Sequence, residues 1–159
     1  MGCGCRGQAL GQRLVAEGWA VRGTTRSEGR GEEIETAGIE PAVADPERPG
    51  TLLDLVSDVA VVHWLLGTAQ ADADAIAAVH GPRLERLLER LVDTPVRGFV
   101  YEAGGTIPRS ILEGGAEIVR AAQRTWRIPA RIVDEDPADH ETWLDAMARA
   151  TTAVLTSNE

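Results

Sequence analysis

Apolar residues Ala9, Leu10, Leu14 and Val15 recur at helical spacing along Gln8–Glu17, and Gly18 stands where a C-terminal cap would. Trp19–Arg26 instead alternates apolar and polar positions and carries β-favouring Val and Thr, the pattern of a strand. A short helix is predicted over Arg30–Ala37, capped by Gly38. A strand over Ile39–Asp45 follows, and Pro41 suits an edge better than a centre. Pro46 and Pro49 lead into a helix at Thr51–Val56. Val59–Leu66 is almost continuously apolar, which suits a strand covered on both faces of a parallel sheet. Ala69–Val92 reads as two helical pieces broken at Gly81-Pro82, with Leu84, Leu87, Leu88 and Leu91 facing the sheet. Val96–Ala103 is a strand, Ile111–Trp126 a helix and Ala130–Val133 a strand. Pro137–Leu155 is a closing helix with Trp143 and Met147 inward. Strands alternating with helices in this way predict an α/β fold, a doubly wound parallel sheet with helices on both faces.

At 159 residues the chain has room for one domain and no separate substrate domain. Sixteen basic against 25 acidic residues leave a net charge of −9, which argues against a sequence-independent grip on nucleic acid or anionic lipid. No apolar run is long enough for a membrane span and no leader pattern is evident, so a cytoplasmic protein is expected. Cys3 and Cys5 are too close to staple a secreted fold and too few for a zinc site, and they read as small residues in a tight turn. All the basic residues are arginine, so the chain offers no catalytic lysine.

The first residues carry the chemistry. Gly2-Cys3-Gly4-Cys5-Arg6-Gly7 fits the G-x-G-x-x-G spacing of a dinucleotide-binding turn, and a helix and a strand follow it as the fingerprint requires. That strand ends about 20 residues past the loop, where an NAD site places an acid for the ribose hydroxyl. Arg26 stands there instead, able to pair with the 2′-phosphate of NADP, and Ser27 adds a hydroxyl. Asp45, ending the next strand, is placed either to accept from an adenine amino group or to cap a helix before Pro46.

These stretches, taken with Gly23-Thr24-Thr25-Arg26-Ser27, Val43-Ala44-Asp45, Val61-Val62-His63 and Arg97-Gly98-Phe99-Val100-Tyr101, resemble the extended and atypical short-chain dehydrogenase/reductase superfamily, the NAD(P)-dependent epimerase/dehydratase-like proteins. The likeness runs over about two-thirds of the chain and implies a Rossmann fold. By it, Gly2, Gly4, Cys5, Arg6 and Gly7 would meet the pyrophosphate, Arg26 and Ser27 the adenosine phosphate, and Asp45 the adenine. Leu66 and Gly67 would line the adenosine side, and a homodimer is compatible with the family.

The family's Tyr-x-x-x-Lys pair is missing. Tyr101 lies inside a strand and reads as packed there, while Ala103 and Gly104 occupy the place of the usual serine. His63 reads as a core histidine, and Glu102, near the strand's C-terminal end, reads either as a replacement for the missing acid–base pair or as bonded to a loop amide. The expectation is a binder of NADP(H) rather than NAD(H), without standard reductase chemistry and serving as a sensor or regulatory partner. The alternative is an oxidoreductase or epimerase of unusual mechanism. No strand precedes the glycine loop, whereas the Rossmann order 3-2-1-4-5-6 puts one at the centre of the sheet. A polypeptide starting about six to eight residues earlier is therefore expected, with a gap or an abnormal pairing between strands 19–26 and 59–66.

Overall fold

The computed structural model describes residues 1–156 and places five parallel strands among seven α-helices. In chain order these are α1 (Cys5–Ala16), β1 (Arg22–Thr25), α2 (Gly31–Thr36), β2 (Glu40–Val43), α3 (Pro49–Leu53) and β3 (Val61–Trp64). Then come α4 (Ala73–Val79), α5 (Pro82–Leu91), β4 (Gly98–Glu102), α6 (Arg109–Trp126), β5 (Ala130–Val133) and α7 (His140–Thr156). β1 pairs with β2, bringing Gly23 opposite Pro41. Pro41 has no amide to donate, and the edge position of β2 makes that loss harmless. β3, β4 and β5 form a separate three-stranded sheet in that order, with Val62 opposite Phe99 and Val100 opposite Arg131.

β4 is buried along its whole length because helices cover both faces. Phe99 and Tyr101 pack with Leu84, Leu87, Leu88 and Leu91 of α5 and with Ala116 and Val119 of α6. Val100, pointing the other way, joins Leu10 and Leu14 of α1 and Trp143, Met147 and Val154 of α7. The strand's alternation thus serves two cores at once. α5 begins at Pro82, where a missing amide costs nothing, and its four leucines are all at most 2 % exposed. Gly18 and Gly38 end α1 and α2 at φ of +95° and +77°, as left-handed caps.

The elements follow the expected order, with shifted ends. α1 starts at Cys5 rather than Gln8, so half of the glycine motif belongs to the helix itself. The one architectural departure from a continuous doubly wound sheet is the expected one: β1 and β3 share no ladder, and no strand lies between them among the described residues. Residues 1–3 bridge the break. The Met1 amine donates to the His63 carbonyl at 2.6 Å, Leu65 N–H donates to the Met1 carbonyl at 3.0 Å, and Cys3 N–H donates to the Thr24 carbonyl at 3.1 Å. Among the described residues, no helix is long and apolar enough to cross a membrane.

Candidate functional site

The glycine loop is tight for steric reasons. Gly2 has φ of +92°, and a Cβ there would stand 2.3 Å from the Leu65 carbonyl oxygen. A Cβ on Gly7 would stand 2.6 Å from the Gly2 carbonyl oxygen, so helix and loop could not close on each other with a larger residue. Gly4 differs: a Cβ would meet nothing within 4 Å, because this residue faces open space. It is the N-cap of α1 and no side chain caps it. The amides of Cys5, Arg6 and Gly7 have no carbonyl of their own helix to bond, and together with the helix dipole they make this end of α1 electropositive.

That helix end opens into a cleft of about 720 Å³. Gly2, Gly4, Cys5, Arg6 and Gly7 line it from one side, Arg26 and Ser27 from the end of β1, and Leu66 from the end of β3. Two residues singled out in the sequence stand differently. Asp45 does not line the cleft: its carboxylate accepts from Glu47 N–H at 3.0 Å, and its own N–H donates to Thr51 Oγ1 at 2.9 Å. It takes neither expected role: Pro46 removes one local donor and the next amide closes an Asx turn, while the N-cap of α3 is Arg48. Gly67 is buried behind Leu66, its N–H donating to Glu102 Oε2 at 2.7 Å and its carbonyl accepting from Ile107 N–H at 3.1 Å. Its backbone groups are committed to the fold, and the close packing of Gly104 against it leaves no room for a side chain.

Arg30, Thr68 and Trp143 also line the cleft, although the sequence pattern does not single them out as site residues. Arg30 was legible in principle, being one helical turn past Arg26. Thr68 and Trp143 were not, since they come from distant segments. Arg6 reaches across the cleft to donate to Thr68 Oγ1, and its guanidinium carbon lies 5.7 Å from the centroid of the Trp143 ring. Its Nε is buried without a hydrogen-bond partner. A buried donor left over beside an open helix N-terminus fits an anionic ligand.

Glu102, only 1 % exposed, forms the floor. Its carboxylate accepts from Gly67 N–H at 2.7 Å and from Trp143 Nε1–H at 3.0 Å. Burial pushes this carboxyl above the ordinary range, against the pull of the Gly67 amide, the nearby Arg6 charge and the Trp143 donor. A raised acid favours its protonated form in the fold. The stability it adds is therefore present below the unfolded pKa and is lost as pH rises through the folded value.

The remaining chemical candidates lie off the cleft. Tyr101 is fully buried, its hydroxyl 2.7 Å from His80 Nδ1, and burial raises it beyond any working range. His63 Nε2 bonds Thr151 Oγ1 at 2.8 Å, and burial holds the imidazole well below its usual pKa. Both act as packed, hydrogen-bonded residues.

No family model and no curated protein matches the chain. Solved structures do. The crystal structure of gox2253 superposes with a TM-score of 0.66 at 18 % identity, covering 82 % of this chain and 48 % of that one. A short-chain dehydrogenase/reductase superfamily protein from Agrobacterium tumefaciens, solved with bound NAD, gives 0.65 at 23 % identity over 83 % of this chain and 46 % of that one. A mutant of UDP-glucuronic acid 4-epimerase from Bacillus cereus gives 0.64 at 15 %, over 82 % and 52 %; it was solved with UDP-4-deoxy-4-fluoro-glucuronic acid and NAD. The chain spans about half the length of these proteins. It has their Rossmann-like fold, in agreement with the resemblance read from its motifs.

Proposed function

We propose that residues 1–159 form a single dinucleotide-binding domain that takes NADP(H) in preference to NAD(H) and works as a sensor or regulatory binder in the cytoplasm. The observation that carries this reading is the cleft in which the uncapped N-terminus of α1, the open face of Gly4 and the Arg26-Ser27 pair converge. Gly4 and the amides of Cys5, Arg6 and Gly7 would hold the pyrophosphate, and Arg6 Nε would gain the partner it lacks. Arg26 and Ser27, both exposed at the cleft, would take the 2′-phosphate, and Arg30 lines the same cleft. Two of the structural neighbours were solved with NAD, which supports the cofactor class.

The dinucleotide would supply hydride chemistry, but the Tyr-x-x-x-Lys pair that would move the proton is missing, and Glu102 at the cleft floor is held by Gly67 N–H and Trp143 Nε1–H. The chain has no lysine, and its only tyrosine is sealed against His80. For that reason binding is preferred here over turnover. The alternative, an atypical oxidoreductase or epimerase, predicts loss of NADPH absorbance with some carbonyl substrate in a screen.

Titration of NADP(H) and NAD(H), followed by nicotinamide fluorescence or calorimetry, tests the reading. A charge-assisted hydrogen bond is worth roughly 1.5–3 kcal/mol, so NADP(H) should bind on the order of ten- to a hundredfold more tightly. Arg26→Ala should erase most of that margin and leave NAD(H) affinity nearly unchanged. Equal affinities in the parent protein would sink the assignment of Arg26.

Gly4→Ala gives an independent check. A methyl group there meets no protein atom and Gly4 has φ of −78°, so the fold should survive with Tm within a few degrees of the parent. The same methyl would intrude where the pyrophosphate approaches, and both dinucleotides should bind at least about tenfold more weakly, near 1.4 kcal/mol. Unaltered affinity would place the ligand elsewhere.

A further inference from the structure

The two ends of the cleft differ in access. At the β1 end Arg26, Ser27 and Arg30 are exposed, so a ligand reaches them directly from solvent. At the other end Glu102 and Trp143 line the cleft and yet are only 1 % and 0 % exposed. Arg6 lies over this end. Its guanidinium crosses from the first turn of α1 to donate to Thr68 Oγ1, beyond the end of β3, with its central carbon 5.7 Å from the centroid of the Trp143 ring. Trp143 Nε1–H donates in turn to Glu102 at the end of β4, and Glu102 accepts from the N–H of Gly67, the residue before Thr68. The contacts close a ring over the carboxyl ends of β3 and β4.

A dinucleotide lies across the carboxyl ends of the strands in such a fold. With the 2′-phosphoadenosine at Arg26 and Ser27 and the pyrophosphate at the N-terminus of α1, the nicotinamide would have to run over β3 and β4. That ground is taken. To admit the nicotinamide, Arg6 would have to surrender its bond to Thr68 and its place on the indole face together. The pyrophosphate asks for no such loss, because Arg6 Nε is buried without a partner and can donate to a phosphate oxygen while the rest of the guanidinium stays in place.

We propose, resting on the NADP(H) reading above, that the cleft recognises only the 2′-phosphoadenosine diphosphate half of its ligand and that Arg6 is the residue that shuts the nicotinamide out. The nicotinamide stays in solvent. NADP⁺, NADPH and 2′-phospho-ADP-ribose, which lacks the ring altogether, are then equivalent ligands, and a protein built in this way reports the total amount of 2′-phosphorylated dinucleotide instead of its redox ratio.

Calorimetric titration of the full chain with these three molecules tests the proposal. Their Kd values should agree within about threefold. Arg6→Ala should weaken all three through the lost Nε contact, but it also bares the Trp143 face, and stacking of the nicotinamide there should favour NADPH over 2′-phospho-ADP-ribose by roughly tenfold. Thr68→Val keeps the shape of the side chain and frees the guanidinium, so it should move the same ratio in the same direction by less. A spread above about threefold among the three in the parent protein would overturn the proposal, because the nicotinamide would then be in contact with the protein. So would a ratio of NADPH to 2′-phospho-ADP-ribose affinity that neither variant changes. Failure of all three molecules to bind would defeat the NADP(H) reading itself and this inference with it.

Discussion

Trp143→Ala is expected to remove most of the stability of this fold. The indole is fully buried between α7 and β4, in the core that holds Leu10, Val100 and Met147. Truncating a buried tryptophan to alanine costs about 3–5 kcal/mol in lost transfer and cavity. Its Nε1–H also supplies one of the two hydrogen bonds of the buried Glu102 carboxylate, at 3.0 Å. Leaving that acceptor short adds about 1–3 kcal/mol. The sum is comparable with the 5–15 kcal/mol by which a typical domain is stable. Trp143→Phe separates the parts, because it keeps much of the ring volume and loses only the donor. Urea unfolding followed by circular dichroism should rank the parent above Trp143→Phe and that above Trp143→Ala. A Trp143→Phe protein as weak as the alanine variant would show that the Glu102 bond, not the packing, dominates.

The succession of elements was legible because burial on two faces leaves a plain signature. The run Val59–Leu66 and the leucines of α5 needed no tertiary information, and Pro41 announced an edge. The gap between β1 and β3 could also be read, from a glycine turn with no strand ahead of it. What the sequence could not show was how backbone groups would be spent. Asp45 has the right place for an adenine contact, yet its carboxylate is used by the amide of Glu47 two residues on. Gly67 sits next to the cleft, yet its amide is held by Glu102 from another strand. Trp143 reads as a core residue and is one, but the same ring also lies under Arg6, a pairing 137 residues apart that periodicity cannot report. Local patterns specify elements and turn residues; the partners of a long side chain depend on which loops the topology brings together.

The other large effect should come from Gly115→Ala, a change that would be stabilising on an exposed helix by about 1 kcal/mol. Gly115 lies in the buried face of α6, and a Cβ there would stand 2.1 Å from the Tyr101 hydroxyl oxygen and 2.6 Å from its Cζ. The tyrosine ring would have to move, and it is not free to do so. Its hydroxyl lies 2.7 Å from His80 Nδ1 and 3.3 Å from the Leu112 carbonyl. His80 Nε2 faces the Leu66 carbonyl at 3.2 Å, an atom that can only accept, so Nε2 carries the proton and Nδ1 takes the one from tyrosine. Displacing the ring leaves that buried nitrogen unpaired, at about 1–3 kcal/mol, on top of an overpacking cost of about 1–3 kcal/mol. After the gain in helix propensity, a net loss of about 1–5 kcal/mol is expected, or roughly 2–20 °C in Tm for a chain of this size. Tyr101→Phe alone should cost about 1–3 kcal/mol for the same unpaired nitrogen, and because Tyr101 does not line the cleft it should leave dinucleotide affinity unchanged. The double variant decides the mechanism. Removing the hydroxyl relieves the tightest contact, so Gly115→Ala with Tyr101→Phe should be more stable than the sum of the single losses predicts. Strict additivity in thermal or urea unfolding would mean that the hydroxyl is not what the new methyl group strikes.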